Sequence, residues 1–229
     1  MKMNSSETFT GCDDIVPMDT RFLRESAGGH PSVFGDIYSE EINIAIWQRE
    51  LPAQLKHEVK KLLENHPSFH TQVVVTPEEV QSSLAKTLDS GDHTALINDI
   101  ATLVDMFCCL FELEQVGVRL TAITRPMCPK FHVDKVPCRL LTTYQNAATE
   151  WLPDNETNRK LLGLSQDGTP ERSFSITPSP QEIKQLNSGD VALLKGVRWE
   201  GNEKSGLIHR SPVLPKDHSR LLLTMDFVS

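Results

Sequence analysis

The chain predicts an α+β protein in which a mostly helical N-terminal half supports an all-β C-terminal half, built as a sandwich or jelly-roll barrel. Three observations carry that expectation. Between residues 94 and 114, apolar side chains (Leu96, Ile97, Ile100, Leu103, Val104, Phe107, Leu110, Phe111) recur at spacings of three and four, the period of a helix with one buried face. After Gly117, short segments of strand composition follow one another, separated by proline-containing breaks, as in antiparallel β architectures. The chain has 229 residues, 38% of them hydrophobic and 24% charged, enough for one large domain with a real core.

Element by element, residues 1–35 read as a flexible segment rich in Ser, Thr, Gly and Asp. Residues 36–117 read as a mostly helical support region, and 118–229 as the β core of a single composite domain. Ile42, Ile44 and Ile46 alternate with Asn43 and Ala45, the pattern of a half-buried strand. Pro52 suits the first turn of a helix through LKHEVKKLLENH, which Pro67 stops. The run TQVVV precedes Thr76-Pro77-Glu78-Glu79, where Thr76 and Glu79 make a capping box for a helix ending near Ser90-Gly91. Cys108 and Cys109, inside the periodic helix, read as small core residues. Then come VRLTAIT, KFHVDKV and CRLLTTYQ as strands, a polar loop over 153–180, and the strands DVALLKG, GLIHRSP and RLLLTMDFVS.

A net charge of −8 disfavours nucleic acid or anionic membrane as partners, while one well-placed arginine still suffices for a small anion. The N-terminal stretch MKMNSSETFTGCDD lacks the apolar run of a secretion signal, and the longest apolar stretch, 95–113, is interrupted by Asn98, Asp99, Asp105 and Glu112. Five cysteines (Cys12, Cys108, Cys109, Cys128, Cys138) are an odd number without a CxxC pair, which fits a reducing, cytoplasmic setting. No GxSxG, HExxH or phosphate-binding glycine loop occurs, so serine-hydrolase, zincin and P-loop mechanisms are disfavoured.

The chemistry concentrates in MCPKFHVDKVP, residues 127–137. In a strand, residues i and i+2 point to one face, so His132 and Asp134 project together. They make two legs of a 2-His-1-carboxylate set, the arrangement that leaves open positions on a divalent iron. Only His209 and His218 lie downstream. His209 ends a strand-like segment and is the better third leg, whereas His218 sits in the loop-like PKDHS. Eleven residues past His209, Arg220 opens the last strand, sharing a face with Leu222 and Thr224. The opposite face (Leu221, Leu223, Met225, Phe227) is apolar and belongs against the helices, so Arg220 points inward. A planar fork donor there suits the distal carboxylate of a 2-oxo acid.

The order HxD, a Gly189-Asp190 turn, a distal histidine and a later arginine resembles the iron- and 2-oxoglutarate-dependent dioxygenases over residues 118–228. That resemblance implies a cupin-like double-stranded β-helix, with Fe(II) on His132, Asp134 and His209 and 2-oxoglutarate on Arg220. From about residue 40, CPKFHVDKVPCRLLTTY, the TEWL of Thr149–Leu152, GDVALLKG and GLIHRSP resemble a bacterial family of unknown function, DUF1826. That family carries no settled activity; its association with zinc-homeostasis genes implies a metal theme.

Each candidate has a plainer account. His132 and Asp134 suit a hydrogen-bonded pair, His209 a turn-holding histidine, and Arg220 a strand-end partner of Asp226 or Glu200. Arg139 and Arg210 compete with Arg220 as the carboxylate clamp. Cys128 and Cys138 flank the HVD, and a thiolate ligand would favour zinc, although small packing residues explain them as well. Lys195 and Trp199 suit either the pocket mouth or a solvated hairpin, and Glu150-Trp151 either a substrate edge or a structural corner. The leading expectation is an Fe(II)/2-oxoglutarate oxygenase acting on a small-molecule or peptide substrate. The alternative is a non-catalytic zinc-binding protein using the same pocket.

Overall fold

The computed structural model describes residues 24–88, 93–125, 127–154, 179–216 and 218–228. The described residues form ten strands: β1 (Arg24–Gly28), β2 (Ile42–Trp47), β3 (His70–Val75), β4 (Val116–Ile123), β5 (Cys138–Gln145), β6 (Glu150–Leu152), β7 (Lys184–Gln185), β8 (Val191–Lys195), β9 (Ile208–Arg210) and β10 (Arg220–Phe227). The helices are α1 (Ala53–Asn65), α2 (Val80–Thr87) and α3 (Thr94–Phe111).

The strands make a seven-stranded sheet, ordered β1-β2-β8-β5-β10-β4-β3, and a three-stranded sheet, β7-β6-β9. A bridge from His132 to His209 extends the small sheet by one position beyond β9. From β4 onward the chain alternates between the two layers: β4, His132, β5, then β6 and β7, β8, β9, β10. The major layer thereby reads β4-β10-β5-β8 and the minor one His132-β9-β6-β7, all antiparallel. This winding is a double-stranded β-helix. The loop expected over 153–180 has residues 155–178 outside the described set, as are residues 1–23 of the N-terminal segment.

Helices cover the outer face of the large sheet. Val118 and Leu120 of β4 and Leu221, Leu223 and Met225 of β10 point at them, and with Leu55, Leu62, Leu96, Ile100 and Leu103 form the main core. Phe107 of α3 meets Phe227 with ring centroids 5.5 Å apart. Among the described residues α3 is the one helix long and apolar enough to cross a membrane, and Leu96, Ile97, Ile100, Leu103, Val104, Phe107 and Cys108 are buried in this core. The alternate residues of β10 face the other way, toward the small sheet.

Some local expectations are revised. The strand expected at Ile42–Ile46 is present, but it and the TQVVV run do not stay within a helical support: β2 joins β8 and β3 joins β4 in the large sheet. β2 is buried on both faces, not one: Ala45 meets the helical core while Ile44 and Ile46 meet the inter-sheet cluster. KFHVDKV forms a bridge only at His132. Beyond it, the carbonyls of Asp134, Val136 and Pro137 accept instead from Val197, Arg198 and Gly196 of the turn after β8. Pro137 has no N–H to continue a ladder. The Thr76 hydroxyl accepts from the Glu79 amide at 3.3 Å, one half of the expected capping box, but α2 starts later, at Val80 with Glu79 as its N-cap and no side-chain cap bond, and ends at Thr87. Cys109 is exposed, on the solvent side of α3, while Cys108 is buried.

Candidate metal centre

The two histidines meet through backbone pairing. His132 donates its amide to the His209 carbonyl at 3.0 Å and accepts from the His209 amide at 3.0 Å. Directly opposed residues of an antiparallel pair present their side chains on one face, and the two rings lie with centroids 4.5 Å apart. Asp134, two residues on, reaches the same place: its Oδ1 is 3.8 Å from His132 Nε2 and its Oδ2 3.4 Å from His209 Nε2. The three ligand atoms lie within 4.8 Å of one another.

The hydrogen-bond pattern tests whether this trio suits a metal ion. Nδ1 of His132 lies 3.0 Å from the Lys130 carbonyl, and Nδ1 of His209 lies 3.0 Å from the Leu207 carbonyl. A carbonyl can only accept, so each Nδ1 carries a proton and donates it. Burial, with His209 and Arg139 adding to it, holds the His132 pKa below its usual value, so that ring is neutral and its Nε2 is a bare lone pair. A lone pair aimed at a carboxylate is repulsive until a cation lies between them. Nδ1–H pinned to a backbone carbonyl is also how metal-binding histidines are oriented. Burial opposes ionisation of Asp134, but at the acid pH where this carboxyl would take up a proton both histidines are cationic, and His209, Arg139 and His132 together outweigh burial and hold the carboxyl well below the usual carboxylate range. The donor set fits a divalent cation with open positions.

Arg139 of β5 supports the carboxylate. Its Nη1 donates to Asp134 Oδ2 at 2.7 Å, while Nε and Nη2 fork onto Asp226 of β10 at 2.7 and 2.9 Å. Arg210 is likewise engaged, donating to Glu150 at 2.5 Å and lying 4.3 Å over the Phe131 ring. Arg220 differs from both. It is 1% exposed, and its fork makes only two long bonds, to the Ala147 carbonyl and Ser211 Oγ, each 3.3 Å. No carboxylate pairs with it among the described residues; Asp226 is held by Arg139 instead. Burial pulls its pKa down to about 10, which leaves it charged at neutral pH. The trio and all three arginines line one cavity of about 700 Å³ between the sheets.

The family model described as Protein of unknown function (DUF1826) matches residues 28–226. The chain belongs to this family. No curated protein matches it. Among solved structures, the dioxygenase for auxin oxidation from rice is similar at 11% identity, covering 90% of this chain and 83% of that one, with a TM-score of 0.49. A prolyl-4-hydroxylase from Pseudomonas putida also has 11% identity, covering 86% and 96%, with a TM-score of 0.46. The auxin dioxygenase of Arabidopsis thaliana, in complex with 2-oxoglutarate, has 10% identity, covers 91% and 93%, and has a TM-score of 0.46.

In this DUF1826 member the remaining candidates scatter. Cys128 is exposed at the cavity wall and stands outside the three-residue group. Cys138 points into the helical core, where burial pushes its thiol pKa far up. Lys195 is outside the cavity lining, its ammonium donating to the Ser39 carbonyl at 2.7 Å beside the Trp199 ring. His218 is exposed and accompanies Lys216 in its loop. Glu150 pairs with Arg210 and Trp151 is buried between the sheets, so this pair builds a corner. Sequence reading missed Asp226 as the anchor of Arg139 and Arg119 as a cavity residue, while Thr224 lies on the inward face expected of it. Arg119 was within reach, because alternation along VRLTAIT puts it on the face opposite Val118 and Leu120.

Proposed function

We propose that this protein is a mononuclear non-haem Fe(II)/2-oxoglutarate-dependent oxygenase that hydroxylates a substrate admitted to the cavity between its sheets. The observation that carries this reading is Arg220: a buried guanidinium without a counter-ion among the described residues, in the same cavity as a 2-His-1-carboxylate set. His132, Asp134 and His209 would hold the metal, leaving adjacent positions open. Arg220, helped by Ser211 Oγ, would take the distal carboxylate of 2-oxoglutarate as a bidentate partner. Bound Fe(II) supplies the redox chemistry with O2, one oxygen atom ending in the hydroxylated substrate and the other in succinate as CO2 leaves. Arg139 and Asp226 keep the Asp134 carboxylate aimed, and Phe131, Leu141 and Leu222 give the cavity apolar walls that keep water from the reacting centre.

Anaerobically purified protein should bind one Fe(II) and, with O2, convert 2-oxoglutarate to succinate and CO2. Arg220→Met should weaken 2-oxoglutarate binding by about tenfold to a hundredfold while leaving the iron content intact. Tightly held zinc with no turnover after iron replacement would sink the oxygenase and leave a zinc-binding protein using the same three residues.

A further inference from the structure

We propose that Arg119 and Thr224 form a second anion subsite at the metal end of the cavity, so that the molecule oxidised is small and carries a carboxylate or phosphate there. The role of the neighbouring co-substrate rests on the oxygenase reading; the subsite itself rests on the following geometry.

β4 and β10 pair antiparallel with Arg119 directly opposite Thr224, and both side chains line the cavity. Arg119 Nε and Thr224 Oγ1 are each buried and have no hydrogen-bond partner among the described residues. The other cavity arginines are all engaged: Arg139 by two carboxylates, Arg210 by one, Arg220 by a carbonyl and a hydroxyl. A buried donor left unpaired is destabilising, and more so when charged. One bound oxyanion would satisfy both groups, accepting from the guanidinium and the hydroxyl together. The field has the right sign. Six cationic side chains (Arg119, Lys130, Lys135, Arg139, Arg210, Arg220) line the cavity with the Asp134 carboxylate, and Asp226 and Glu150, which pair with Arg139 and Arg210 from outside the lining, still leave cations in excess, in a chain whose net charge is −8.

Position separates this subsite from the co-substrate's. Arg220 and Thr224 share a face of β10 but lie four residues apart, about 13 Å along the strand. Asp226, two residues beyond Thr224 on the same face, holds the arginine that holds Asp134. Arg119 is therefore toward the metal carboxylate, while Arg220 marks the far end. A five-carbon diacid that chelates the metal and reaches Arg220 leaves Arg119 uncovered. A cavity of about 700 Å³ has room for a second small molecule beside it.

The test is calorimetric titration of the Fe(II)-loaded full chain, kept anaerobic with 2-oxoglutarate saturating. Benzoate, which suits the apolar walls of Leu141 and Leu222, and inorganic phosphate are the two probes. One of them should bind at one per chain. Arg119→Gln should weaken that probe by about tenfold or more and the isosteric Thr224→Val by about threefold, with 2-oxoglutarate affinity held within about twofold. Arg220→Gln should show the reverse pattern. The proposal is overturned if neither probe binds the wild type, if both subsite variants bind the probe unchanged, or if Arg119→Gln weakens 2-oxoglutarate as much as Arg220→Gln does. Should 2-oxoglutarate itself not bind the wild type, the oxygenase reading falls, and the same probe titrations without it still decide the subsite.

Discussion

Arg139, half-buried, and Arg220, fully buried, show why two arginines of one cavity have different work. The fork of Arg139 is spent on Asp226 and Asp134, so it orients the Asp134 carboxylate and has nothing left for a further anion. Asp226→Asn should loosen that fork and lower metal affinity by about tenfold to a hundredfold, measured by chelator competition, with the helical signal by circular dichroism unchanged. His132→Ala should empty the site of metal; unchanged metal content by elemental analysis would end the assignment. Arg220 is held in the folded state against a desolvation cost that no counter-ion among the described residues offsets. Arg220→Met should therefore melt at the same or a higher temperature than the wild type. It should also lose about half or more of the stabilisation from 2-oxoglutarate, which in the wild type amounts to about 2.7 kcal/mol at a hundredfold excess over Kd.

The HVD turn is decided by what packs beneath it. Its legs are aligned by one two-way bridge, His132 with His209, and its carbonyls are tied to the turn after β8. Gly196 in that turn permits the approach: a Cβ there would lie 2.0 Å from the Val136 carbonyl oxygen and 2.8 Å from that of Asp134. Gly196→Ala should push the two segments apart, lowering both denaturant midpoint and metal affinity, whereas a variant that kept wild-type metal affinity would show the turn to be irrelevant to the site. Strand parity pointed at this arrangement for a partly mistaken reason. The i, i+2 relation of His132 and Asp134 holds locally, but the segment is a single bridge and a turn instead of the expected strand.

At the scale of the molecule, the two faces of the large sheet divide the labour. Helices α1–α3 pack on one face, and the cavity with its titratable groups occupies the other. Leu103→Ala, at a wholly buried position of α3, should cost about 2–5 kcal/mol in denaturant unfolding and leave metal and 2-oxoglutarate affinities unchanged, because the sheet separates it from the site. The N-terminal half was harder to read at this scale. Its alternating isoleucines and TQVVV signal strands locally, yet their joining the edges of a C-terminal sheet depends on pairings more than 40 residues apart, as for β3 with β4. No local period encodes such a pairing.

The sequence by itself determined the periodic features: the apolar face of α3, the two faces of β10 with Arg220 turned inward, and the shared direction of His132 and Asp134. These follow from backbone geometry acting over a few residues. Tertiary structure decided which partners those side chains would have. That His209 closes the trio, that Asp226 claims Arg139 and so frees Arg220 from it, and that Arg119 and Thr224 stand opposed and unpaired are facts of strand register. Register is set by packing two sheets together, and that depends on the whole chain.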